Sequence, residues 1–462
     1  MGHDALGNIS QMAAGSWQAQ FGYDSRGLEV QRKLSGGLQI GWQRDAAGRP
    51  MQQRITAGGG SATRQRTYQW QTGDVLSQIE DSLTGSSRYE HDIFGALTKA
   101  QYGDGTQELR RPDVVGNLFE SEAQDDRQYG PGGQLLSSRK ATYTYDAEGN
   151  LTQKTTDKGD VWRYTWAGNG LLSEVLRPDG RAVTFTYDAL GRRLSKTYQG
   201  KTTYWVWEAD KPLHEWAELG LNGQNTDEVI TWLFEEDSFA PIGKLQGTQR
   251  QSILTDHLGT PLEMVDQAGQ RTWSAQTTAY GRIRLSEGTR AECPFRFQGQ
   301  YEDVETGLYY NRFRYYAPEE GMYVSQDPVG LEAGLSIYSY VLDPTTWADP
   351  TGLSGIPPFA DLKKLADTTL DFSTAKDGAV FWSGGRMKDA QRWAMSVGKT
   401  TLEQTKGGKY LDSLDLFNPK NGLTGAQAAE IWNIASKRFA DGASGAAHVF
   451  STGAKRIGPF GE

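Results

Sequence analysis

Along much of the first half of the chain, apolar and polar side chains alternate in short runs, as in Val183-Thr-Phe185-Thr-Tyr187. A period of two puts every second side chain on one face, which predicts half-buried strands. Each run closes on an Asp, whose side chain can bond nearby backbone N–H groups. A Gly three residues later supplies the left-handed backbone that returns the chain. Tyr145, Trp166 and Tyr187 are 21 residues apart, and so are Gly149, Gly170 and Gly191. Fainter copies carry Gly27, Gly48, Gly95 and Gly116. One hairpin cannot bury an aromatic face alone, so such units are expected to stack into continuous sheet. The Tyr-Asp pairs read as turn and core chemistry, because their carboxylates are strung along the repeat rather than gathered.

Beyond residue 353 the repeats stop and helical spacing replaces them. Met387, Ala390, Trp393, Ala394 and Val397 predict one helix, with Trp393 in its core face. Ile431, Ala435 and Phe439, behind a Thr424–Gln427 capping box, predict a second helix, which Gly442 and Gly445 can end. Ala446-Ala-His448-Val-Phe450 reads as a buried strand with a satisfied core histidine. The tail is therefore expected to be mixed α/β.

Composition sharpens this division. With 37% hydrophobic residues, 11% aromatic residues and 56 Gly, the chain does not read as a helical bundle. The net charge is −9, yet residues 354–462 hold 14 Lys and Arg against 11 Asp and Glu. A mildly basic tail on an acidic body suggests two parts with different jobs. The single Cys293 excludes a disulfide framework within one chain and Cys-based zinc sites. Five scattered histidines offer no H-x-x-x-H spacing, so no metal site is expected. No apolar run approaches the ~18 residues of a membrane span, and Met1 opens no signal peptide.

The repeat's period and wording resemble the YD repeats of Rhs proteins and tripartite-toxin C components over about residues 1–250. That resemblance implies a mainly β shell, a spiral of strand-turn-strand units. The fit begins mid-repeat at Met1, which points to a fragment or a displaced C-terminal cassette. Residues 251–353 resemble the Rhs-associated core. They contain Phe297-Gln-Gly-Gln-Tyr301, Gly307-Leu-Tyr-Tyr-Asn-Arg-Phe-Arg314, Asp327-Pro-Val-Gly330-Leu331 and Asp349-Pro-Thr-Gly352-Leu353. The resemblance implies autoproteolysis by an aspartyl pair, Asp327 and Asp349, with Arg314 as supporting cation and the cut between Leu353 and Ser354. Two close carboxylates cannot both ionise easily, so one can activate water while the other polarises the carbonyl. From spacing alone, each Asp-Pro reads as a turn initiator, and it is the resemblance that reverses this. Asp343-Pro344 lacks the following Gly-Leu and stays a turn.

By the same resemblance, residues 354–462 are a toxin passenger. Its wording is similar to the ADP-ribosyl cyclase/NAD glycohydrolase family in Phe381-Trp382-Ser383, Thr401-Leu-Glu403-Gln-Thr405, Trp432-Asn-Ile-Ala-Ser436-Lys-Arg-Phe439-Ala and Phe460-Gly461-Glu462. The likeness implies NAD as substrate rather than a bound cofactor. Trp382 and Trp432 would form an aromatic slot for the nicotinamide. Ser383, Arg386 and Ser436 would bind the phosphates and ribose, and Glu403 would tilt the outcome between hydrolysis and cyclisation. Glu462 either supplies the catalytic carboxylate in a shortened loop or leaves that role to a residue beyond it.

The implied partners are a cognate immunity protein and a delivery apparatus, with no nucleic acid expected. The implied route runs from a bacterial cytoplasm into a target cell's cytoplasm. Three alternatives stand beside this: an ADP-ribosyltransferase, a nuclease, and a non-enzymatic β-repeat adhesion or scaffold protein.

Overall fold

The repeat turns take the form their residues dictate. Asp188 Oδ1 accepts from the backbone N–H of Leu190 at 2.9 Å and of Arg192 at 2.8 Å. Gly191 then returns the chain at φ 76°. Strand register slips beside Tyr145, Trp166 and Tyr187, as it does where a left-handed Gly closes a bulged hairpin. Each of these aromatic residues also reaches back to the preceding unit. Tyr145 Oη donates to Leu135 O at 3.1 Å, Trp166 Nε1 to Leu151 O at 2.7 Å, and Tyr187 Oη to Leu172 O at 2.7 Å. The repeat aromatic is thus a hydrogen-bonded staple as well as a core side chain.

The structure, a computed structural model, describes residues 1–353 except 6, 58–61, 73–74, 94, 114, 221–223, 226–227, 237 and 331–335. Beyond them it describes 362–363, 366–367, 370, 372–382, 386–413, 416 and 425–450. The chain divides into two compact units, Met1–Gly355 and Ile356–Glu462.

In the first unit, strands follow one another antiparallel in chain order. One sheet has 11 strands, from Gly2–His3 to Gln107–Leu109, and a second has 17, from Arg127–Tyr129 to Ile283–Glu287. The architecture is the mainly β repeat fold. The boundary expected between 250 and 251 lies within strand Gln249–Thr255 of the larger sheet. The same hairpin geometry runs on past it, so the chain has no break there. Trp17, Ile40 and Ile55 of the first sheet pack with Ile242, Leu254 and Val265 of the second.

The core segment adds a four-stranded antiparallel sheet, Tyr301–Asp303, Leu308–Asn311, Arg314–Ala317 and Met322–Tyr323. Leu308, Tyr310, Tyr315 and Met322 pack on Tyr143, Tyr164 and Phe185 of the repeats. Arg193 from the repeats reaches Asp303 at 2.5 Å, with both side chains buried. The aromatic rings of Trp205 and Tyr310 lie 4.4 and 4.5 Å from its guanidinium.

The second unit is a small mixed α/β assembly. Strand Ala379–Trp382 lies between Thr400–Thr401 and His448–Phe450, parallel to both. Helices span Met387–Ser396, Lys406–Ser413 and Gly425–Asp441. Ile431, Ala435 and Phe439 are buried; Thr424 of the expected capping box lies outside the described residues. Strand His448–Phe450 exists but is not buried. His448 and Val449 are exposed, because this is an edge strand. Trp393 is only half-buried and packs on the His448 ring, centroids 4.7 Å apart. Among the described residues no helix is long and apolar enough to cross a membrane.

Candidate functional site

Arg314 opens the third strand of the core sheet, where its neighbours on both faces are buried. A charge in such a place needs partners. Its Nη2 meets Asp327 Oδ2 at 2.8 Å and Asp349 Oδ2 at 3.5 Å. The side chains of all three are at most 1% exposed. Its Nη1 donates to Ile337 O at 3.2 Å, its Nε donates to Gly352 O, and its guanidinium lies 3.6 Å from the centre of the Tyr323 ring. One cation therefore gathers two aspartates that lie 22 residues apart in sequence and the segment that leads to Leu353.

Each aspartate divides its two oxygens between different tasks. Asp327 Oδ1 accepts from Val329 N at 3.0 Å. Asp349 Oδ1 accepts from Gly352 N at 2.9 Å and Leu353 N at 3.2 Å. These are turn contacts. The Oδ2 atoms turn the other way, to the shared guanidinium. Turn initiation and carboxylate pairing are thus both present in the same residues. Asp343, by contrast, spends both oxygens locally or on His91. It accepts from Thr345 N at 2.9 Å and Thr346 Oγ1 at 2.8 Å, and lies 3.1 Å from His91 Nε2.

Burial first, and then the nearby Asp327 charge, push the Asp349 carboxyl above its ordinary range. Tyr323 Oη donates to Asp349 Oδ2 at 2.8 Å and accepts from Asn311 Nδ2 at 2.8 Å. Asn311 Nδ2 also donates to Asp349 O at 2.9 Å, and Asp349 N donates to Tyr340 Oη at 3.2 Å. Burial and the adjacent Asp349 keep the Tyr323 hydroxyl protonated well past its usual range. Asn311, Tyr323 and Tyr340 were not singled out by sequence. Their only signal was membership of the Tyr-rich core wording, where nothing distinguishes a hydrogen-bonding Tyr from a packing one.

Gly352 sits at φ 72°, and a Cβ there would lie 2.4 Å from Asn311 O. Only glycine lets the chain pass so close to the core sheet. Leu353 is half-buried; Ser354 lies outside the described residues.

In the second unit Trp382 Nε1 donates to both carboxylate oxygens of Glu403, at 3.0 and 3.2 Å. Strand Ala379–Trp382 and the 3-10 turn Leu402–Gln404 bring them together. Thr401 N donates to Gln404 Oε1 at 3.0 Å, which caps that turn. Trp432 is half-buried on helix Gly425–Asp441, and Ser436 on the same helix is exposed. No ring contact joins Trp382 to Trp432 among the described residues. Arg386 Nε pairs with Asp389 at 3.1 Å. Ser383 and Glu462 lie outside the described residues.

A family model of the teneurin YD-shell matches residues 62–334. The chain belongs to the teneurin YD-shell family. Asp349 and Leu353 lie just past the matched stretch of this YD-shell chain. It is 31% identical over 334 residues to the double-stranded DNA deaminase toxin A of Burkholderia cenocepacia, covering 64% of this chain and 23% of that protein. It is 29% identical to toxin protein Tse5 of Pseudomonas aeruginosa, covering 66% and 28%. To the probable deoxyribonuclease RhsA of Dickeya dadantii it is 27% identical, covering 74% and 26%.

The chain therefore spans about a quarter of the length of these relatives, and it carries the core of Rhs/YD-repeat polymorphic toxins. In fold it is similar to a chain of the Photorhabdus luminescens Tc holotoxin pore. That match has a TM-score of 0.55 at 17% identity, over 77% of this chain and 20% of the other.

Proposed function

We propose that this YD-shell chain is part of an interbacterial toxin that cuts itself after Leu353 and frees an enzymatic effector. The observation that carries the reading is the pair of buried aspartates on one guanidinium, with Asp349 also bonded to the Leu353 amide. Asp327, which has the shorter ion pair, suits the ionised role. Asp349, whose neutral form burial favours, suits the acid. In the proposed step Asp327 takes a proton from water as its oxygen adds to the Leu353 carbonyl carbon. Asp349 donates to the carbonyl oxygen. The C–N bond to Ser354 then breaks as Asp327 passes its proton to the leaving amine, Asp349 takes back the proton it lent as the carbonyl re-forms, and Leu353 keeps the new carboxyl group.

For the effector we propose hydrolysis of NAD to ADP-ribose and nicotinamide, with cyclisation as a minor outcome. The Trp382–Glu403 pair supports this reading, since it sets a carboxylate at the edge of an aromatic ring. Such a pair suits a ring leaving a ribose with developing positive charge. Trp432, Ser383, Arg386, Ser436 and Glu462 keep the roles given above as proposals, as do the immunity partner and delivery into a target cell. The names of the relatives, a DNA deaminase and a deoxyribonuclease, favour a second reading in which the effector acts on nucleic acid.

The full chain should be incubated in parallel with NAD and with duplex DNA, and the products identified. NAD loss that Glu403→Ala or Trp382→Ala abolishes supports the first reading. DNA strand cleavage or base conversion with NAD untouched replaces it with the second. Denaturing gels of Asp327→Asn and Asp349→Asn test the cut, and both variants should stay whole.

A further inference from the structure

We propose that Tyr323 is a positioning residue for self-cleavage, holding Asp349 by its hydroxyl and Arg314 by its ring, with Asn311 fixing the hydroxyl in turn. This rests on the self-cleavage reading and adds to it a group outside the two aspartates and their arginine.

The argument is one of hydrogen-bond accounting. Asp349 is anchored at every polar atom: its N by Tyr340, its O by Asn311, its Oδ1 by Gly352 and Leu353, and its Oδ2 by Tyr323. Four of these contacts are turn or backbone contacts. Among the described residues only the Tyr323 hydroxyl grips, at 2.8 Å, the oxygen that faces Arg314, and so sets where it points. Arg314 at 3.5 Å is too far to do so by itself. Tyr323 is in turn fixed twice. Asn311 donates to its oxygen at 2.8 Å, which directs the hydroxyl proton at Asp349. Its ring packs against the Tyr316–Tyr340 pair, centroids 5.7 and 5.9 Å away.

The same ring carries the Arg314 guanidinium on its face at 3.6 Å. A single side chain thus sets the orientation of the proposed acid and of the cation that gathers both carboxylates. The charged and titratable groups facing Asp349 are Arg314, Asp327, Tyr323 and Tyr340. Among them Tyr323 is the neutral donor to the reacting oxygen.

The test uses the full chain made by cell-free synthesis, with cleavage followed in time across a range of pH. Tyr323→Phe keeps the ring under Arg314 and removes only the hydroxyl. It should slow the cut by about ten- to a hundred-fold, the cost of a misdirected reacting group. Because a hydrogen bond to the carboxylate is lost, the alkaline limb of its pH–rate profile should move to higher pH. Asn311→Ser, which frees the hydroxyl to rotate, should also slow the cut. Tyr315→Phe is the control. It lies in the same sheet but bonds Tyr187 at 2.8 Å instead, and should cut like the parent.

A parental rate and profile for Tyr323→Phe, while Asp327→Asn and Asp349→Asn stay whole, overturns the positioning role and leaves the self-cleavage reading standing. Cutting by the two Asn variants overturns the reading itself. If Tyr323→Phe does not fold, Asn311→Ser decides, and a parental rate for it overturns the proposal.

Discussion

Asp349 is a side chain whose ionisation the fold resists, through burial first and the neighbouring Asp327 second. Folding therefore favours its neutral form. That gain is complete below the free carboxyl value of about 3.9 and is lost as pH rises through the raised value. Asp349→Asn removes the resisting group and keeps the 2.8 Å pair between Arg314 and Asp327. Asp327→Asn removes the better partner and keeps the resisting group. Both should remain uncut, so cleavage does not confuse the comparison. At neutral pH Asp349→Asn should be the more stable by about 1–3 kcal/mol. The gap should narrow towards acid, as read by thermal unfolding at several pH values. A more stable Asp327→Asn at neutral pH contradicts this. Arg314, Asp327 and Asp349 were legible in sequence because they stand in a fixed wording around Asp-Pro and Gly-Leu. Asn311, Tyr323 and Tyr340 were not, since their roles come from which ring meets which carboxylate once the sheet closes.

Repeat turns that look alike in sequence differ in what they brace. Gly149 and Gly170 both sit in the left-handed region, at φ 80° and 77°. A Cβ on Gly149 would lie 2.5 Å from Tyr338 Oη, whereas Gly170 has nothing within 4 Å. Tyr338 Oη donates to Gly149 O at 2.6 Å, and Leu151 N donates to Val324 O at 2.9 Å, so this turn holds the segment that carries Asp327. Gly149→Ala and Gly170→Ala should each cost about 1–2 kcal/mol of backbone strain. Only Gly149→Ala should also slow self-cleavage. Unfolding curves and cleavage time courses separate the two effects, and equal cleavage rates contradict the bracing. The 21-residue period was legible because turn residues announce themselves locally. The core sheet was not read as strands, because its short segments are buried on both faces and show no alternation. Helix Lys406–Ser413 was missed because Gly407 and Gly408 argue against one.

Within Met1–Gly355, ties between distant segments make the core depend on the repeats. Arg193 binds Asp303, Lys154 meets Glu320 at 2.6 Å, and His91 meets Asp343 at 3.1 Å. Arg314 opens a strand of the core sheet that packs on the repeat strands, so the two aspartates are gathered on an element that the repeats support. The proposed self-cleavage therefore requires the whole of this unit to be folded. The family match likewise runs without a break across residue 250, from 62 to 334. The mass of the purified, unsubstituted full chain tests the proposed self-cleavage most directly. Two species, residues 1–353 and 354–462, are predicted, and Asp327→Asn should give one whole chain. A single uncut mass for the unsubstituted protein, or a cut at any bond other than Leu353–Ser354, would contradict it.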